Sequence, residues 1–450
     1  MDLLDFFIFV IYIFIFNFIF QLRRKRYTDP LLRKYHRNAF WIKVFSCFAY
    51  SMFVLHFSPG DSTYLFFPEG HNIYKLILKD PSNITMLFIP GKEFDQSLLA
   101  NPYNLGYFSE DANYMVAKIV AFLSFLTLVK FLAISLIFSM LSFTGVWRLY
   151  LFFYEQYPQL HKQFAIAILY LPMFVFWSSG ILKDPLCTGA LGWFTYSLFH
   201  IFYKRQNLLK DVIIVMISSY FLVVLKVYII VSYLPFFMLF LILKNVTLIK
   251  SKFAKVSLVL SFLIGSMVGF TQLSGNTEKA LGNFASKGLT NSIITYQTNY
   301  VAQQTEESSS FSLGVEYDGS MRSLLRMAPA AIIATLYRPF IWESRKISTL
   351  FSSIESLIIM LFTVSVFYRV GFKKTFKTIV SNPIIMYCLL FSLIFALFVG
   401  ATTLNFGTLV RYKIPAMPFY VSALFLIVYY NPKAQKKPGI VPGLVVSEKS

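Results

Sequence analysis

Of 450 residues, 57% are hydrophobic and 19% aromatic, while only 14% are charged. A soluble domain averages roughly 45–50% apolar and about 25% charged; with 51 Phe and a mean hydropathy of +0.62, this chain has too little polar surface to cover a water-exposed fold. The composition excludes a soluble enzyme, a disordered chain and a nucleic-acid-binding domain despite the formal net charge of +20, and leaves a multi-pass membrane protein.

A crossing helix needs about 20 mostly apolar residues. In chain order such runs cover 3–22, 40–57, 114–143, 164–182 and 186–203, then 212–243, 253–273, 350–367, 384–401 and 414–430. Asp2 and Asp5 stand where a signal peptide would carry basic residues, so the first run reads as a span and not as a cleavable leader. The run 212–243 is too long for one crossing and has basic flanks at both ends, so it reads as a hairpin with its tip near Lys226 and Tyr228. The expected fold is all-α: a polytopic membrane helix bundle of about eleven transmembrane helices, forming a single integral membrane domain over 1–450. Two apolar segments are expected to lie at the interface: 147–157, which holds Arg148 and Glu155 and ends before Pro158, and 327–342, interrupted by Pro329, Arg338 and Pro339. Cys47, Cys187 and Cys388 have no metal-site spacing and read as buried small hydrophobes.

Charge orients the bundle. Arg23–Arg26, Arg33, Lys34 and Arg37 fall in one connection, followed by Arg148 and Lys162, then Lys204, Arg205 and Lys210, then Lys244, Lys250, Lys252 and Lys255, then Arg369, Lys373, Lys374 and Lys377. The tail 431–450 adds Lys433, Lys436 and Lys437. Most carboxylates fall in the alternate connections. By the positive-inside rule the N-terminus lies outside and the C-terminus is cytoplasmic. Two outer loops, 58–113 and 274–349, far exceed the roughly 15 residues of an ordinary connection and are expected to carry function.

Charges at the outer boundary are the candidate site. Asp61 follows Pro59-Gly60 where the second span ends, and Asp111 stands where the third begins, as either a catalytic acid or a helix N-cap. Lys183 and Asp184 follow Trp177-Ser178-Ser179-Gly180-Ile181-Leu182, close to hydrocarbon, where charges must be paired or used. Lys226 is expected at the hairpin tip, and Lys130, near the middle of the long third run, needs an internal partner or a wet cavity. In the second loop, Arg338, Trp342 and Glu343 combine a phosphate-matching guanidinium, an apolar ring face for a sugar and an acid. Arg411 and Lys413 face outward against the charge rule, which an anionic ligand explains. Together, cations at Lys183, Lys226, Arg338, Arg411 and Lys413 with acids at Asp61, Asp111, Asp184 and Glu343 suit a lipid-linked phosphate and a hydroxyl to be activated. No phosphate-binding Gly loop, HExxH or GxSxG motif is present.

Asp61 in Gly60-Asp61-Ser62-Thr63-Tyr64, and the late Arg411-Tyr412-Lys413-Ile414-Pro415-Ala416-Met417-Pro418, give a pattern that resembles the GT-C class of integral-membrane glycosyltransferases. The stretches 177–184 and 336–343 also resemble segments of bacterial envelope-polysaccharide membrane proteins. The pattern departs from the class in placing its first long loop after the second run, with no acid pair except Glu110-Asp111. The resemblance implies a polyprenyl-phosphate-linked sugar as donor, a glycan or lipid acceptor, membrane lipids as surroundings and a site on the outer face of a bacterial inner membrane. Asp61, Asp111 and Asp184 would be the acids, with Lys183, Lys226, Arg338, Glu343, Arg411, Lys413, Trp177 and Trp342 binding substrate. The resemblance implies no certain cofactor and leaves a divalent metal open. The rivals are an O-antigen-type lipid-linked oligosaccharide polymerase or ligase, and a glycolipid transporter or flippase.

Overall fold

The computed structural model describes residues 2–104, 107, 108, 110–245, 310–315, 317, 318, 321–344 and 346–432. The expected span 253–273, most of the loop 274–349 and nearly all of the tail lie outside them. The described residues are helical, confirming an all-α polytopic membrane bundle, and fall into two units, Met1–Val227 and Tyr228–Ser450.

In the first unit, α1 (Leu3–Arg24) starts where the Asp2 carboxylate accepts the Asp5 N–H at 2.7 Å and ends on Arg23 and Arg24. Asp29 caps α2 (Pro30–Met52) through the Leu31 N–H at 2.8 Å, with Pro30 at the position where its missing donor costs nothing. α2 runs on through a π-turn at Phe53–Phe57, completing a 28-residue candidate span. Phe7, Phe14 and Phe18 on α1 are 60%, 69% and 63% exposed, a face for lipid chains.

The run 114–143 is not one span. α3 (Phe67–Lys79) packs against α4 (Asp111–Thr127), and a break at Leu128–Lys130 precedes α5 (Phe131–Tyr154). Leu128 and Val129 have φ of +53° and +58°, unfavourable for any side chain and worst for a β-branched one. α1 over-determines this turn from three directions. Lys130 pairs with Asp2 at 2.7 Å, buried Asp5 accepts the Leu132 N–H at 3.1 Å, and Tyr12 donates to the Leu126 carbonyl at 2.8 Å. The Lys130 hydrogen bond holds the Asp2 carboxyl below its usual range. Lys130 therefore has its partner, but at a helix start beside the N-terminus and not at mid-span.

The expected interfacial helix at 147–157 is instead the second half of α5, which is unbroken to Tyr154. Its charges are accommodated by α8 (Lys183–Tyr203): the Arg148 guanidinium lies 4.7 Å from the Trp193 ring and 4.8 Å from the Tyr196 ring. Burial raises the Glu155 carboxyl, but hydrogen bonding from His200 at 3.3 Å and Tyr196 at 3.0 Å, with Lys204 at 3.3 Å, prevails and holds it below the usual range. The run 164–182 is also broken: α6 (His161–Phe164) and a π-turn (Ala165–Leu169) end before Pro172, where α7 (Pro172–Trp177) begins, and 178–182 are non-helical. α9 (Leu208–Asn245) covers the run 212–243, and its backbone leaves helical geometry at Lys226, the residue expected at a tip.

In the second unit, α10 (Met321–Tyr337) carries Pro329 within it and ends before Arg338 and Pro339, so the segment 327–342 is mostly one helix. α10 lies on α13 (Pro383–Thr402), where a Cβ on Gly400 would stand 2.2 Å from the Ala331 carbonyl oxygen. α11 (Ile347–Val370) fills the run 350–367, and Gly371, at φ +84°, turns the chain into α12 (Phe372–Ser381). α14 (Phe406–Tyr412) and α15 (Met417–Tyr429) form a pair bent by 62° around Lys413–Ala416.

Among the described residues, six helices are long and apolar enough to cross a membrane, or seven with the bent pair taken as one. α8 is long enough, but Lys183, Asp184, its glycines and its hydroxyl residues dilute its apolar content.

Candidate functional site

In the first unit, the root of the first long loop is tied to the segment that follows α7. Tyr50, fully buried on α2, donates to the Ser62 hydroxyl at 2.6 Å, and Ser62 donates to the Ile181 carbonyl at 2.8 Å. Gly180 is required here: a Cβ would stand 2.0 Å from Cε1 of Tyr50. Asp61 and Lys183 are thus each within two residues of one short hydrogen bond. Asp61 is exposed and Lys183 half-buried.

The segment is fixed from beneath by Lys43, near the middle of its span. Its buried ammonium donates to the Ser178 carbonyl and hydroxyl, both at 2.5 Å, and to the Val175 carbonyl at 3.4 Å, matching its three donors with three oxygens at the C-terminal end of α7. Trp177 packs edge-on to Tyr50 and Phe53, and its buried indole N–H has no hydrogen-bond partner among the described residues.

Asp184 is buried in the first turn of α8, and one of its oxygens lies 2.5 Å from the Lys226 ammonium, with side-chain exposures of 0% and 5%. The helical break at Lys226 delivers its side chain to this carboxylate. The segments that carry Asp61, Trp177, Lys183 and Asp184, expected from separate connections, are therefore tied together, and Lys226 joins them through its ion pair with Asp184.

Asp111 is not brought there. Its carboxylate accepts the Gly91 N–H at 2.6 Å as α4 begins, so it braces the loop. Buried Glu69 does the same for 100–104, accepting from the Ala100 and Asn101 N–H groups at 3.0 and 3.1 Å and from the Asn104 amide at 2.7 Å.

The second unit gathers the other expected residues into a cluster of its own. The Arg338 guanidinium grips the Glu343 carboxylate, donates to the Ser312 carbonyl at 3.3 Å and lies 4.3 Å from the Phe311 ring and 5.2 Å from that of Phe406. Buried Lys413 donates to the Ser356 hydroxyl at 2.8 Å and to the Arg338 carbonyl at 3.1 Å, pinning the α14–α15 elbow to α11 and to the end of α10. Trp342 is 79% exposed and stacks on Phe340 at 4.9 Å; Arg411 is half-buried, 5.7 Å from the Tyr412 ring. Arg338 and Lys413 act here as clamps, so Arg338→Met should lower thermal stability by about 2–3 kcal/mol through the unpaired Glu343, measurable as an earlier melting transition in detergent.

Lys43, Tyr50, Ser62 and Gly180 were not singled out in the sequence. For Lys43 the signal was there, a lone cation inside the run 40–57. For the others no local signal exists. Among the described residues, no group of three or more His, Cys, Asp or Glu side chains is placed to hold a metal ion. Comparison with protein families, curated proteins and solved structures gave no match.

Proposed function

We propose that the chain is an integral-membrane glycosyltransferase that moves a sugar from a polyprenyl-phosphate donor to an envelope glycan or lipid acceptor. The observation that supports this reading is the Ser62–Ile181 hydrogen bond, which ties the loop root that carries Asp61 to the segment that leads into Lys183 and the Asp184–Lys226 pair. Asp61 takes the proton from the acceptor hydroxyl as that oxygen bonds to the anomeric carbon. The bond from the anomeric carbon to the phosphate oxygen breaks, and the charge left on the phosphate is met by Lys183. The ion pair beneath supplies a fixed dipole in low dielectric and anchors the helix that begins at Lys183.

The distribution of basic residues supports an orientation with the N-terminus and this site outside, and the resemblance to the GT-C class supports a bacterial inner membrane. The polymerase or ligase reading leans on Arg338, whose donors are engaged within the protein, and so ranks second. Asp61→Asn should leave folding and membrane insertion intact and lower transfer by at least about 100-fold, the usual scale of a lost general base. Transfer rate measured beside the melting temperature checks this; an Asp61→Asn protein with native turnover removes Asp61 from the chemistry.

A further inference from the structure

α12 joins the end of one candidate span, α11, to the start of another, α13, and so lies at a membrane boundary. At 3.6 residues per turn its ten residues sort into three faces. The first turns to the protein: Thr375 is fully buried, and the Thr378 hydroxyl accepts from the Asn431 amide at 3.0 Å. The second holds Phe372, Phe376 and Val380, which are 76%, 63% and 58% exposed. The third holds Lys373, Lys374 and Lys377, all exposed. No acid occurs anywhere between Glu355 and Glu448 to neutralise them. Arg369, at the end of α11, adds a buried Nε that has no hydrogen-bond partner among the described residues.

An apolar strip flanked by a lysine strip, at the level where two spans end, matches a bilayer surface in both hydrophobicity and charge. We propose that α12 is a docking surface for anionic phospholipid, with Phe372, Phe376 and Val380 at the acyl boundary and Lys373, Lys374 and Lys377 on the headgroup phosphates. This is independent of the transfer chemistry, since α12 shares no residue with the proposed site.

The three cysteines are buried, so a cysteine introduced on α12 can be labelled selectively in the full-length protein. Phe376→Cys and Lys374→Cys, each carrying a small fluorophore in nanodiscs with bromine on the lipid acyl chains, should differ: strong quenching at 376 and little at 374. A Lys373→Gln/Lys374→Gln/Lys377→Gln protein should lose the preference for phosphatidylglycerol over phosphatidylcholine among co-purified lipids by on the order of 10- to 100-fold. Absence of quenching at 376, which a protein partner on that face would also give, overturns the proposal. So does a lipid preference unchanged in the triple variant.

Discussion

Lys226→Met is expected to destabilise the protein by about 3–5 kcal/mol, because it removes the cation that stands 2.5 Å from the buried Asp184 carboxylate. The side chains of this pair are 5% and 0% exposed, so water cannot replace the lost partner. The carboxylate must then either stay charged in a low-dielectric surrounding or take up a proton, and both oppose the native packing around α8. The prediction is specific because repair is possible: Lys226→Met combined with Asp184→Leu removes both charges and should recover most of the stability while transfer stays low. A melting series over the wild type, both single variants and the double variant measures the coupling directly. A double variant no better than the worse single variant would show that the pair does more than neutralise itself.

Gly145→Ala should be nearly as damaging for a purely steric reason. α5 and α8 cross backbone to backbone: a Cβ on Gly145 would stand 1.8 Å from the Gly189 carbonyl oxygen, and one on Gly192 would stand 2.0 Å from the Gly145 carbonyl oxygen. Neither obstacle is a flexible side chain that can swing away. A single methyl must force the helices apart, at a cost of about 1–3 kcal/mol or more. Close approach through small residues is how helices associate where lipid gives no hydrophobic drive. α8 begins with Lys183 and Asp184, so separation at the crossing should reach the candidate site. The expected result is a lower melting temperature with a drop in transfer; Gly60→Ala, where a Cβ meets nothing within 4 Å, is the control expected to be silent in stability.

Membrane residence, helical content and the positions of most long helices were legible in the sequence, because twenty apolar residues in a row leave the backbone one way to satisfy its hydrogen bonds. The breaks were harder to see. Leu128 and Val129 carry no turn chemistry, and their left-handed geometry is imposed by Asp2, Asp5 and Tyr12 from a distant part of the chain. The continuous path of α5 past Arg148 depends on ring faces supplied by Trp193 and Tyr196, which no local pattern reveals. At the candidate site, charge against hydrocarbon pointed to Lys183, Asp184 and Lys226, and position at a loop root pointed to Asp61. The residues that tie the loop root of Asp61 to the segment before Lys183 are Tyr50, Ser62 and Gly180, ordinary by type and meaningful only through their contacts. Asp111 illustrates the reverse. A boundary acid read either as a catalytic group or as a helix N-cap, and its carboxylate accepts the Gly91 N–H from a distant part of the loop.

The central claim is tested most directly with the purified full-length protein in liposomes containing a radiolabelled polyprenyl-phosphate sugar and envelope glycan extract. The account predicts that label passes into the glycan or lipid fraction as polyprenyl phosphate is released, and that Asp61→Asn abolishes this transfer. Donor that merely changes leaflet with its sugar intact, in wild type and variant alike, would contradict it and make the protein a mover of glycolipid instead.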